Sequence, residues 1–218
     1  MSLTNPSARS LSEVSVASTA LFPTIVITLN LVQRRGYSPV SQAISELALG
    51  TGGTLMVLAF CSLGTGILTL AMTIRRAGRT GRTVPAILTV AAFLAGPASA
   101  GFHTDLTGSP TTVHGTIHNA AGLAAFLLLL TAMVIGSFTF RRDTFWRGHT
   151  RTTALFALTG LITFFLIPLL GEDHFGLAQR LFVGTFVAWL ITTAAYAHQH
   201  LSSFPASSPT STVNGVAA

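Results

Sequence analysis

The chain has 218 residues, half of them hydrophobic and only 8% charged, with a mean hydropathy of +0.64 and a net charge of +6. A soluble domain carries about 25% charged residues, so this composition excludes one and leaves room for a single membrane domain of about six spans. The positive balance comes from arginine alone, clustered in short loops between apolar runs, where it sets membrane topology; nucleic acid is not the expected partner.

Residues 1–15 are mostly polar and read as a disordered N-terminal tail. The first apolar run is 16–32. It is preceded by only Arg9 and followed by no small-residue cleavage site, so it reads as an uncleaved span and not a signal peptide. Residues 33–53 follow, with Arg34, Arg35, Pro39 and a segment around 42–49 that suits a short interfacial helix carrying Glu46. The second span is expected over 54–74, rich in small residues such as Gly64 and Gly66 that permit close helix approach. A basic loop with Arg75, Arg76, Arg79 and Arg82 leads to the third span, 84–101, where Gly96-Pro97 should kink the helix and free a carbonyl. Gly108-Ser109-Pro110 marks a turn before the fourth span, which starts within 114–118 and runs to about residue 140. A second basic loop holds Arg141, Arg142, Arg147 and Arg151, with Trp146 as an expected interfacial anchor. The fifth span is 152–170 and the sixth 177–197, separated by the acidic turn Glu172-Asp173-His174. Residues 198–218 are Ser/Pro/Thr-rich and read as a disordered tail. The fold class is therefore all-α: a compact six-span bundle over 16–197 between two tails.

Nine arginines fall on one side of this topology and three (Arg34, Arg35, Arg180) on the other. That bias puts both termini in the cytoplasm of a multi-pass protein, and the exclusive use of arginine suits a bacterial cell membrane. The second and fourth spans both end in Arg-Arg, and each is followed by a basic loop, a span with a late proline and an acidic-His turn. Two related hairpins or the plain alternation of topology signals would each produce this echo.

Charge near a bilayer is costly and often functional. Glu46, His103, Asp105, His114, His118, Glu172, Asp173, His174 and Arg180 all fall at the outer ends of the spans, where short loops can bring them into one pocket. His114 and His118 are one helical turn apart. With Asp105 they have the composition of a zinc site with an open position; they suit a proton relay equally well. Asp105 or Glu46, shielded from water, would serve as general acid, with His103, His114 or His118 as base or orienting group. Helix-end histidines that only hydrogen-bond at headgroup level remain the bland alternative. Arg180 calls for a carboxylate partner, Glu172, Asp173 or Glu46, and an anionic phosphate head is its functional alternative. Phe164, Phe165, Phe182, Phe186 and Trp189 read as packing or lipid-facing. The single cysteine, Cys61, lies in an apolar run and allows no disulfide within the chain.

Four blocks carry a family resemblance: Tyr37-Ser38-Pro39-Val40-Ser41-Gln42-Ala43-Ile44-Ser45-Glu46-Leu47, Gly101-Phe102-His103-Thr104-Asp105, His114-Gly115-Thr116-Ile117-His118 and Gly176-Leu177-Ala178-Gln179-Arg180. Together they resemble the domain-of-unknown-function 998 family of small bacterial and archaeal integral membrane proteins, over about 16–197. The resemblance implies a six-span bundle and no particular activity. His103 departs from it, standing where proline is expected. In plan only, the chain is also similar to small multi-span terpene cyclases and to seven-span metal-dependent lipid hydrolases. The resulting expectation is an enzyme acting by acid/base chemistry on a lipid or isoprenoid amphiphile, without a cofactor. A divalent metal on His114, His118 and Asp105 is the hydrolase alternative, and a transporter or assembly factor the non-catalytic one.

Overall fold

Each apolar run is long enough to cross a bilayer only as a helix, because no water is present there to satisfy an open backbone. In the computed structural model, which describes residues 6–78 and 81–202, all regular structure is helical. Six helical stretches are long and apolar enough to span a membrane: α1 (Pro6–Val32), α2 (Leu55–Ala77), α3 (Thr83–Gly101), α4 (Val113–Thr139), α5 (Thr150–Leu169) and α6 (Phe175–Ser202). They pack in chain order as a ring that closes where α6 meets α1, and α2 also touches α6. The ends of the chain confirm the alternation. Glu13 of α1 lies 3.4 Å from Arg9 and 3.5 Å from His198 of α6, all at the arginine-rich end.

Two expectations about the tails change. The first helix begins at Pro6, ten residues ahead of the apolar run, so 6–15 is not a tail. Ala8, Ser12, Ser15 and Thr19 recur at helical spacing and are fully buried, and the Ser15 hydroxyl donates to the Gly66 carbonyl of α2 at 2.8 Å. Small hydroxyl residues can bury a helix face when a carbonyl receives them, which makes this stretch polar in composition yet helical in structure. At the other end α6 continues through His198 to Ser202. Residues 1–5, Arg79 and Thr80, and the tail from 203 lie outside the described residues.

The Gly96-Pro97 interruption widens α3 into a π-turn over Leu94–Ala98. Proline removes one donor, and the Ser99 N–H reaches back to the Leu94 carbonyl, which also receives the Ser99 hydroxyl at 2.8 Å. This turn lies at a close crossing, where Gly64 of α2 faces Gly96 of α3.

The two halves of the ring are filled differently. Toward the arginine-rich end, Ile67, Leu70, Ile74, Leu88, Met133, Trp189 and Leu190 are all fully buried. Trp146 belongs to this packing and is no interfacial anchor. Its ring is fully buried, stacked 4.9 Å from Phe140 and 5.8 Å from Tyr196. The basic loop folds under the bundle because Asp143 accepts from the Phe145 N–H at 2.8 Å and the Tyr196 hydroxyl donates to the Phe145 carbonyl at 2.9 Å. The other half of the ring is not filled.

Candidate functional site

Three loops, 33–54, 102–112 and 170–174, meet at the arginine-poor end. The 42–49 segment is a 3₁₀ turn, Ile44–Leu49, buried under this end and not lying flat on the interface. Glu46 fastens it. Oε1 accepts from the Ala43 N–H at 2.9 Å and the Thr107 hydroxyl at 2.7 Å; Oε2 accepts from Gln42 Nε2 at 3.0 Å and the Thr107 N–H at 3.2 Å. All four partners are donors, so the carboxylate works as an acceptor that ties the first loop to the second. Ser45 and Thr104 meet across the same seam at 3.4 Å, and Gln179 of α6 accepts from the Ile44 N–H at 2.8 Å.

Asp105 is used in a similar way. Its oxygens accept from the Thr112 N–H and hydroxyl, both at 2.8 Å, and the Thr112 oxygen in turn accepts from the Gly115 N–H, capping α4. Gly115 is required here because a Cβ would collide with the Asp105 carboxylate. Asp105→Ala is expected to cost about 1–2 kcal/mol, a lost cap plus a lost anion at a helix N-terminus, with Asp105→Asn in between. Thermal unfolding in a nonionic detergent checks this, and an unchanged midpoint for Asp105→Ala would remove the cap assignment.

The expected metal set does not assemble. His114 is exposed and stacks with exposed His103, ring centres 6.0 Å apart, while His118 one turn deeper is 6% exposed and gives Nδ1 to the Phe102 carbonyl at 2.8 Å. The helix enters the bundle between the two, so equal spacing along the chain places them in different surroundings. With Asp105 committed to Thr112, no three His, Cys, Asp or Glu residues among those described form a group able to hold a metal ion.

Arg180 is also corrected. Among the described residues it has no ion pair; its guanidinium donates to the Gln42 and Gly176 carbonyls, each at 3.0 Å, and to the Tyr37 hydroxyl, above whose ring it lies at 5.5 Å. The physical reason is that the Tyr37–Ala43 segment crosses the start of α6 closely enough to offer carbonyls in place of a carboxylate; the Leu177 N–H donates to the Val40 carbonyl at 2.8 Å. Burial pushes the Tyr37 phenol above its ordinary value against the pull of Arg180, so it remains a hydroxyl that accepts from Arg180 and donates to the Ala43 carbonyl at 2.8 Å. Asp173 and His174 are exposed in the last turn, and neither they nor Arg180 face the site described next.

Beneath the joined loops lies a cavity of about 860 Å³, reaching into the arginine-poor half of the ring between all six helices. It is within the range of small-molecule sites, apolar with a few convergent polar groups. Its roof carries Ser45, Glu46, Thr104, Asp105 and Thr107; His118, Asn119, Ser99 and Gln179 stand on the upper wall, and Glu172 at the rim. The floor is Phe22, Phe60, Phe126, Phe164 and Phe186. In the neutral His118 ring the Nδ1 proton goes to a carbonyl, which can only accept, so Nε2 is left as a base.

The cavity opens sideways. Leu106, Leu123 and Phe165 line it and are also 52%, 53% and 63% exposed. Gly122 beside them would carry a Cβ into open space. Farther down, α4 and α5 close where a Cβ on Gly160 would meet Met133 Cε at 3.0 Å and Leu130 Cδ1 at 3.2 Å. Above that seam the cavity lining reaches exposed surface on both helices, at Leu123 of α4 and Phe165 of α5, and this stretch is the α4–α5 window.

Of the residues singled out from sequence, Glu46, Asp105, His118 and Glu172 line this cavity; His103, His114, Asp173, His174 and Arg180 do not. Phe164, Phe165 and Phe186 line it too, whereas Phe182 and Trp189 are core. Ser45, Ser99, Thr104, Asn119 and Gln179 were not foreseen. Ser45, Thr104 and Gln179 lay within the family blocks, and Asn119 carried a signal as a second polar residue directly after His118 at the start of an apolar run; Ser99 carried none. No curated protein and no solved structure matches the chain. The family model described as protein of unknown function (DUF998) matches residues 16–196, nearly the whole membrane domain, and the chain belongs to that family.

Proposed function

We propose that this protein admits a single amphiphile from the bilayer through the α4–α5 window, seats its tail among the phenylalanines and works on it by acid/base chemistry beside the head group. The lateral opening of the cavity supports this reading, because it joins a lipid-facing entrance to His118 and the polar roof in one space. His118 is the proposed base. Asp105 and Glu46 accept hydrogen bonds from neighbouring donors and serve to hold the roof, which favours proton transfer at a lipid or isoprenoid over cyclisation started by a free carboxyl. The roof is assigned to the extracytoplasmic side and the termini to the cytoplasm, from the arginine bias. Carriage of the amphiphile without chemistry is the second reading, favoured by the same cavity.

Gly122→Trp is expected to fill the window without disturbing packing, since nothing lies within 4 Å of a Cβ there. Native mass spectrometry of protein released from native membranes should show one bound amphiphile in the wild type and about tenfold less in Gly122→Trp, with an unchanged melting midpoint. His118→Gln should keep the bound mass and lose conversion to product. Equal product from wild type and His118→Gln would remove His118 as the base; a bound amphiphile with no product from the wild type would leave carriage; no bound amphiphile in the wild type would overturn the proposal.

A further inference from the structure

We infer that the head group held under the roof is positively charged, so that the ligand is an amine-bearing single-chain amphiphile and phosphate-bearing lipids are excluded. This deepens the proposed function and rests on it. Glu46, Asp105 and Glu172 all line the cavity, and among the described residues none of them forms an ion pair. The donors on Glu46 and Asp105 are backbone amides, threonine hydroxyls and the Gln42 amide. They are neutral, so they orient the carboxylates without cancelling their charge. Among the described residues no arginine lines the cavity, and the chain has no lysine.

The arginines at this end are placed elsewhere. Arg180 is committed to Gln42, Gly176 and Tyr37 behind the roof. Arg34 and Arg35 line a separate surface groove with Gln33, Gly50 and Thr51. An anionic head would therefore meet carboxylates with no counter-charge, in a space where low-dielectric walls focus the field. A cation meets the opposite conditions. Aromatic residues also reach the polar end of this space, Phe175 on its lining and Phe60 with its ring centre 5.7 Å from that of His118, and an aromatic ring can take a cation on its face.

The experiment uses the full-length protein in phosphatidylcholine nanodiscs, photolabelled with tetradecanol carrying a diazirine at the tail end. Tetradecylammonium, tetradecanol and tetradecyl phosphate compete for the label, each corrected for its partition into empty nanodiscs. The ammonium compound should displace the probe at about tenfold lower concentration than the alcohol at low salt, with the phosphate weakest. Glu172→Gln, at the exposed rim, should narrow the ammonium–alcohol gap several-fold and leave alcohol binding unchanged. Equal displacement by ammonium and alcohol, or displacement by the phosphate as strong as by the ammonium, would overturn the charge assignment while leaving the amphiphile reading in place. Labelling that none of the three displaces would overturn both.

Discussion

Glu46→Ala is expected to lose about 2–4 kcal/mol of stability, which in a chain of this size lowers the melting midpoint by roughly 5–10 °C. The side chain is 3% exposed and receives four donors from two loops. Truncation leaves the half-buried Ala43 N–H, the Thr107 N–H and the Thr107 hydroxyl without their acceptor and unties the first loop from the second. Glu46→Gln should fall in between, because its amide nitrogen would face a donor at one of the two oxygen positions. Thr107→Val removes one of the same bonds, so its cost and that of Glu46→Ala should add to more than the double variant loses. Thermal unfolding of the four proteins in one nonionic detergent checks this. It also separates two roles for Glu46: as a clamp, its variants lose activity in step with the folded fraction; a general acid would lose activity with the midpoint intact. A Glu46→Ala midpoint within about 2 °C of wild type would sink the clamp.

Gly64→Leu should be comparably damaging for a steric reason. A Cβ on Gly64 would stand 2.8 Å from both the Ala92 carbonyl oxygen and Gly96 Cα, and both are backbone atoms that cannot turn aside. The helices must separate, at a cost of about 3 kcal/mol or more. Gly64→Ala already meets the conflict and should show a smaller loss. Separation would reach the cavity, since Phe60 and Leu63 on α2 and Ala95 and Ser99 on α3 flank this crossing and line it. Gly184→Leu is the control: it is exposed on α6 with nothing within 4 Å, and replacing a helical glycine there should be neutral or slightly stabilising. If Gly64→Leu melted with Gly184→Leu, the close crossing would not exist in the folded protein.

These two substitutions mark a boundary between local and distant information. Six spans, their alternation and the placing of four of the six acids and four of the seven histidines at one end were legible in the chain alone, because an apolar run of sufficient length must be helical and a charge beside it must lie near its end. The family blocks were legible for the same reason: Tyr37–Glu46, Gly101–Asp105 and Gly176–Arg180 are the segments that touch one another in the roof. What each charged residue does there was not legible. Asp105 and Glu46 look alike in sequence as candidate acids, and their use as clamps depends on Thr112 in one case and on Thr107, 61 positions away, in the other. Arg180 called for a carboxylate and found the Gln42 carbonyl, 138 positions away. Ser15 read as tail until Gly66 supplied an acceptor. Gly122 and Gly160 are the same residue type on neighbouring helices, yet one borders the window and the other the seam that closes it. Hydrophobicity and helix length are properties of a segment and can be read along it; a cavity, a clamp and an entrance are properties of which side chains from remote segments arrive at the same place, and only the packed bundle decides that.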